Sequence, residues 1–423
     1  MIFTKLETVA SAKAKMLEAI KSKGLETECV SITEAFGRTL AEDVKSNENI
    51  PGFVRTAMDG YAVKCEDVRG ATPENPVKLK FIGEVCMGHV PEFTIEHGTC
   101  AYVPTGGMVP EGADGTVIIE KTKTGGDIPS LPADPDAEPI YIELYEQPKP
   151  NGNFVPIDED VKKGEIVLAK GRKLRPQEIG TLASLGRTEV KVYKPLKMAI
   201  ISTGDELVAI DAPLAPAKVR DINSYSLMGL AQKYGMEITQ MSLLEDDEEL
   251  LEKTVREAMK TADIIAASGG SSVGKKDATA RIFDKVSNPG IFVHGISLKP
   301  GKPTILGFDD ETKTLLVGVP GHPASAMMSF EMVVMEPINE YMTGKSAEES
   351  EFVVPAFLTS EAKAKASRDT CITVSLSAGD KPEATPINKK SSAITMLSQA
   401  DGYIVISAGE VKNAGDMVKV HLF

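Results

Sequence analysis

Met198-Ala-Ile-Ile-Ser-Thr-Gly-Asp-Glu-Leu207 is a short apolar run that ends abruptly in a turn bearing hydroxyls, a glycine and two carboxylates. An apolar run closed by a turn signal reads as a strand buried on both faces, as in parallel sheets. The pattern recurs in Asp263-Ile-Ile-Ala-Ala-Ser-Gly-Gly-Ser-Ser-Val-Gly-Lys-Lys-Asp277 and in Leu315-Leu-Val-Gly-Val-Pro-Gly-His-Pro-Ala-Ser325. In an open α/β sheet, ligands lie outside the carboxyl ends of the strands, where the loops into the helices converge. Three such loops describe one site.

Around these runs, residues 193–342 alternate strand and helix. A helix from Ser224 to Gly235 precedes a strand-like Met236–Leu244. Asp246-Asp-Glu-Glu249 then resembles a capping box, with Asp246 as N-cap, before a helix whose Leu251, Val255, Ala258 and Ala262 share one face. Asp263–Ala267 is the next strand, Thr279–Val286 a helix, Thr314–Val319 a strand and Ala324–Met342 a long apolar helix. This βαβ order predicts a parallel sheet with right-handed crossovers. Ahead of it, residues 7–23 form a helix stopped by Gly24, and residues 54–120 carry short β-like runs broken by Gly and Pro. Residues 124–139 read as a surface loop, and 176–185 as a helix closed by Gly186. Beyond 346 the chain is β-like again. The expected division is a discontinuous linker domain (1–50 and 153–192), an inserted β module (51–152), an α/β domain (193–345) and a C-terminal β domain (346–423).

Composition narrows the function classes. The chain has 423 residues, too many for one ordinary core, and 47 basic against 61 acidic residues give a net charge of −14. Such a balance disfavours nucleic acid as a partner, because phosphate contacts dominate that affinity. The five cysteines and five histidines are dispersed without metal-ligand spacing, as in a reduced protein. The N-terminus lacks a secretory pattern and no apolar run approaches a membrane span, so a cytoplasmic protein without membrane contact is expected.

Ser202, Thr203, Gly204, Asp205 and Glu206 end the first strand, where carboxylates also suit a helix start and Gly204 lets a ligand approach the backbone. Ser268-Gly269-Gly270-Ser271 opens a run of small residues able to present several N–H groups to an anion. Its spacing is not that of a Walker A loop. Asp277, a helix N-cap by its position, pairs with Glu206 as a candidate Mg²⁺ contact. Leu298-Lys299-Pro300-Gly301-Lys302-Pro303 holds two lysines on a turn stiffened by two prolines, which lowers the entropy lost on gripping an anion. Pro320-Gly321-His322-Pro323 is equally stiff and also serves as a turn before the apolar helix.

Together with Ala57-Met58-Asp59-Gly60-Tyr61-Ala62-Val63, Pro104-Thr105-Gly106 and Gly112-Ala113-Asp114, these stretches resemble the molybdopterin molybdenumtransferase family (MoeA and the gephyrin E domain), in the family's order and over essentially the whole chain. The resemblance implies four domains, the central one a three-layer α/β molybdopterin-binding domain. It implies a homodimer whose site lies between that domain of one subunit and the β module of the other. The implied reaction inserts molybdate into adenylylated molybdopterin with release of AMP and help from Mg²⁺. A molybdopterin adenylyltransferase and apo-molybdoenzymes are the implied partners. By the match, Asp59, Thr105, Asp160, Glu206, Asp246 and Asp277 serve the chemistry. Lys299 and Lys302 hold anionic groups, Pro320 and Pro323 shape the wall, and Ser391 adds a hydroxyl.

Two positions depart from the family's pattern. Gly152–Asp160 carries Val155 and Asp158 where an Arg and a Gly are usual, and His322 replaces an amide. Losing a bidentate donor weakens oxyanion recognition. A pterin-binding scaffold, a tungstate-preferring insertase and a molybdopterin adenylyltransferase are the competing readings.

Overall fold

The computed structural model describes residues 6–123, 127–134, 136–269, 276–349, 353–387 and 389–423. They form two compact units, one of residues up to 42 together with 170–423, the other of residues 43–169.

In the first unit, helix α1 (Val9–Lys23) starts on Thr8, whose hydroxyl accepts from the Ser11 N–H, and stops at Gly24, where φ is +72°. Thr27–Ser31 pairs antiparallel with Glu189–Tyr193. Helix α2 (Pro176–Ser184) begins on a buried carboxylate: Glu178 accepts from the Arg175 N–H and from the guanidinium groups of Arg172 and Arg175. The Arg175 hydrogen bonds, with help from Arg172, hold this carboxyl down at about 2, against an ordinary value of 4.5. Its stabilisation is therefore complete above about pH 4.5 and fades as pH falls towards 2. Glu178→Gln is expected to cost about 2 kcal/mol at neutral pH, discounted for two half-exposed arginines. Denaturant unfolding followed from pH 7 downward should show the variant and wild type converging in acid.

The α/β sheet follows, built from β1 (Lys197–Thr203), α3 (Asn223–Lys233), β2 (Glu237–Leu244), α4 (Glu248–Ala258), β3 (Ile264–Gly269), α5 (Lys276–Val286), β4 (Pro289–His294), β5 (Ile305–Asp309) and β6 (Thr314–Val319). The strand order is β2-β1-β3-β6-β5-β4. The first four are parallel, as expected. The last two are antiparallel and extend the sheet beyond the purely parallel one read from the sequence. The turn from β5 into β6 forms on Asp309, whose Oδ2 accepts from the N–H and hydroxyl of Thr312. Along β1, Met198 and Ile200 face α1 and α3, whereas Ala199 and Ile201 face α4 and α5. Both faces are covered, giving three layers.

The long apolar helix is divided. Helix α6 (Pro323–Phe330) passes through a wide π turn at Glu331–Met335 into α7 (Glu336–Thr343). Pro337, in the first turn of α7, has no N–H to complete the ordinary ladder, so the α repeat does not run unbroken. Glu331 is buried there and accepts from Lys233 Nζ at 2.9 Å and from the Tyr234 hydroxyl at 3.0 Å; burial pushes its carboxyl up.

Strands β7 (Val353–Leu358), β8 (Asp369–Ser377), β9 (Glu383–Pro386), β10 (Gly402–Ile406) and β11 (Met417–Leu422) run in the order β8-β9-β7-β11-β10. Pairing of β10 back onto β8 closes a small barrel around Leu358, Val374, Ile404, Ile406 and Val420. Leu298–Lys299 runs parallel to the start of β8, opposite Asp369 and Thr370.

In the 43–169 unit, five strands lie in the order Gly115–Ile118, Gly60–Val63, Thr99–Val103, Val77–Glu84, Tyr141–Leu144. Tyr61 is fully buried at their centre, edge-on to Phe81 and Tyr102.

Candidate active site

The three turns read from the sequence leave the carboxyl ends of β1, β3 and β6, which are adjacent in the sheet. Thr203 and Gly269 are register partners at that edge, and a Cβ on Gly269 would lie 2.0 Å from Thr203 Oγ1. Only glycine fits there. Behind this rim lies a buried polar lattice. The Ser202 hydroxyl donates to Asp221 Oδ1 at 3.1 Å and lies 3.0 Å from Ser224 Oγ. Asn223 donates to Ser268 Oγ at 2.5 Å and to the Gly321 carbonyl at 3.0 Å. Ser202 is thus a structural link here, as is Ser268, and both are buried.

In front of the rim is a small open cleft, lined by Gly269, Thr279, Pro303, Ile305, Val319 and Pro320 among others. It brings the β3 turn, the lysine turn and the proline turn together. In the lysine turn, Thr304 Oγ1 donates to the Gly301 carbonyl and the Ile296 N–H to that of Lys302, while the Lys299 side chain is exposed. The parallel pairing of Leu298–Lys299 with Asp369–Thr370 braces the residues that lead into this turn. On the proline turn, His322 Nδ1 lies 3.2 Å from Ser391 Oγ, so Ser391 of the C-terminal unit does meet Gly321–Pro323.

Beside the cleft, Gly204 leaves room for the Glu206 carboxylate, which lies 2.8 Å from where a Cβ would stand. The adjoining turns of β1 and β2 exchange bonds: the Asp246 N–H donates to Asp205 Oδ1 at 3.1 Å and the Asp205 N–H to Asp246 Oδ2 at 3.4 Å. Asp246 is not the N-cap of α4. Asp247 is, accepting from the N–H groups of Glu249 and Leu250. The capping reading was one residue early because both positions carry Asp, and backbone direction alone decides between them. Asp246 is consequently drawn to the strand-end turn with Glu206. These are hard oxygen donors, the kind magnesium takes as one or two carboxylates beside substrate phosphates. Among the described residues, no group of three or more side chains is placed to hold a metal alone. Gly270, Ser271 and the side chain of Asp277 lie outside the described residues.

In the 43–169 unit, Asp59 and Thr105 are both exposed, and Asp59 Oδ1 accepts from the Thr105 N–H at 2.7 Å and hydroxyl at 3.1 Å. Gly60 next to it cannot carry a side chain, because a Cβ would stand 2.2 Å from the Val117 carbonyl oxygen. Burial, then the Asp59 charge, pushes the Tyr102 phenol up. Asp160 is held elsewhere in this unit, its N–H on the Ile50 carbonyl. Val155 is the register partner of Arg55 on the facing strand, a pairing no spacing in the sequence announces. Asp158 has φ +62°, where glycine is the easy choice and Asp is among the tolerated residues. Gly112-Ala113-Asp114 is structural: Asp114 Oδ1 accepts from the Cys65 N–H. Among the described residues no helix is long and apolar enough to cross a membrane.

Three family models match in succession: the MoeA N-terminal region (domain I and II) at residues 7–186, a probable molybdopterin binding domain at 199–340, and the MoeA C-terminal region (domain IV) at 355–423. A molybdopterin molybdenumtransferase of Haemophilus influenzae is 35% identical over 338 residues, 80% of this chain and 78% of its own. One from Bacillus subtilis is 29% identical over 387 residues, 91% of this chain and 86% of its own. The crystal structure of a molybdopterin biosynthesis MoeA protein from Pyrococcus horikoshii OT3 superposes with a TM-score of 0.76 at 30% identity, covering 99% of this chain and all of that one.

Proposed function

The chain belongs to the molybdopterin molybdenumtransferase (MoeA) family, transferases of molybdenum-cofactor biosynthesis, and on that footing we propose that it inserts molybdate into adenylylated molybdopterin and releases AMP. The observation that carries this reading is the cleft at the carboxyl ends of adjacent parallel strands, walled by Gly269, Pro303 and Pro320. An oxometallate and a phosphoanhydride are both anions that need fixed cations and N–H donors. Lys299 and Lys302, on the turn that gives Pro303 to the cleft, would supply ammonium charge. The Asp59 carboxylate, oriented by Thr105, would accept or hold a proton. Magnesium, held by Glu206 and Asp246, would neutralise phosphate oxygens when bound.

The reading includes a homodimer in which the Asp59–Thr105 pair and the cleft come from different subunits. It is favoured by the exposed apolar side chains beside that pair, Met58 at 42% and Met87 at 58%. A molybdopterin adenylyltransferase would supply the substrate, and apo-molybdoenzymes would take the product.

The test is to incubate the purified chain with adenylylated molybdopterin, Mg²⁺ and molybdate and to follow AMP. Molybdate-dependent release is the expected result. Tight binding without release would instead indicate a scaffold.

A further inference from the structure

We propose that Asn223 is a positioning residue that sets the width of the cleft. This rests on the reading of the cleft as the molybdate-insertion site. The side chain is only 7% exposed, and its amide N–H pair is divided between two walls. One goes to Ser268 Oγ at 2.5 Å and the other to the Gly321 carbonyl at 3.0 Å. Ser268 directly precedes Gly269, and Gly321 directly follows Pro320; both Gly269 and Pro320 line the cleft. A single nitrogen therefore spans the separation between the β3 wall and the proline wall.

The amide's other end makes the assignment sharper. Asn223 Oδ1 is buried and has no hydrogen-bond partner among the described residues. Buried polar atoms are nearly always paired, and exceptions call for a reason. Turning the amide over would set Oδ1 against the Gly321 carbonyl, oxygen facing oxygen. The orientation is thus fixed by what the N–H groups hold. The residue also sits within the lattice that ties Ser202 at the end of β1 through Asp221 and Ser224, so the ends of β1 and β3 and the turn after β6 are held from one helix start. Wall separation decides whether both sides of the cleft can grip the substrate at once, so a device fixing it bears directly on KM.

The test uses the full chain with Asn223→Asp, which keeps the shape but loses the donors, and Asn223→Ala, which loses both. Hydrogen exchange is followed in peptides spanning 264–269 and 314–323 and, as a control, in α4. The KM for adenylylated molybdopterin and kcat are measured by molybdate-dependent AMP release. Both variants should exchange about tenfold faster at the two walls with α4 unchanged, and should raise KM about tenfold with kcat within about twofold. If Asn223→Asp does not fold, Asn223→Ala gives the same reading. An unchanged KM with kcat lowered only by the unfolded fraction would show a purely structural role and overturn the proposal. So would loosening that spreads equally to α4, or an Asp variant that behaves as wild type. Should wild type itself release no AMP, the insertion reading fails, and the exchange pattern alone still decides whether Asn223 fixes the walls.

Discussion

Gly269→Ala is expected to lower kcat/KM for molybdate insertion by at least about 100-fold and to destabilise the α/β unit measurably. The added methyl would stand 2.0 Å from Thr203 Oγ1, well inside any contact distance. Thr203 cannot swing away freely, because it is β-branched, buried and paired in register with Gly269 on the next strand. The strand ends must part, and the rim of the cleft parts with them. Overpacking of this kind costs about 1–3 kcal/mol, which a shift in the thermal midpoint should register beside the kinetic loss. A variant with wild-type kcat/KM would mean that the cleft beside Gly269 does not carry the reaction.

Asp59→Asn is the second large effect, expected at about 100-fold in kcat/KM with the fold unchanged. The amide retains Oδ1 as acceptor for the Thr105 N–H, so the turn keeps its geometry while the charge disappears. The Tyr102 phenol offers an internal check. The Asp59 carboxylate opposes its ionisation in wild type, so it should titrate lower in the variant. The same variant tests the proposed homodimer when it is co-expressed with Lys299→Ala. Half of randomly paired dimers are then mixed, and each has one intact site of two, so roughly a quarter of wild-type activity should return. No recovery from two folded, dimeric variants would place both residues in one chain's site.

Much of the α/β fold was legible because its strands are buried on both faces and its helices carry one apolar stripe. Met198–Ile201 and the Leu251, Val255, Ala258 face are of this kind. The β4–β5 hairpin escaped notice because Pro289 and Gly290 open β4 and the paired strands lack a tight Asn-Gly or Asp-Gly turn. The π turn at Glu331–Met335 leaves the apolar pattern uninterrupted, so periodicity reads straight through it. Local chemistry located the turns themselves, since Gly, Pro and hydroxyl residues have strong backbone preferences. It could not pair Arg55 with Val155, or Leu298–Lys299 with Asp369–Thr370, because strand register across long sequence separations decides those meetings. Asn223 looked like nothing more than a helix start.

The short parallel pairing of Leu298–Lys299 with β8 means that the C-terminal barrel is no detachable appendage. A chain ending after α7 would keep every strand of the α/β sheet, yet the cationic turn would lose the rail along one side and regain the freedom that its prolines only partly remove. The anion grip proposed for this turn would in that sense be borrowed in part from a domain outside the α/β sheet.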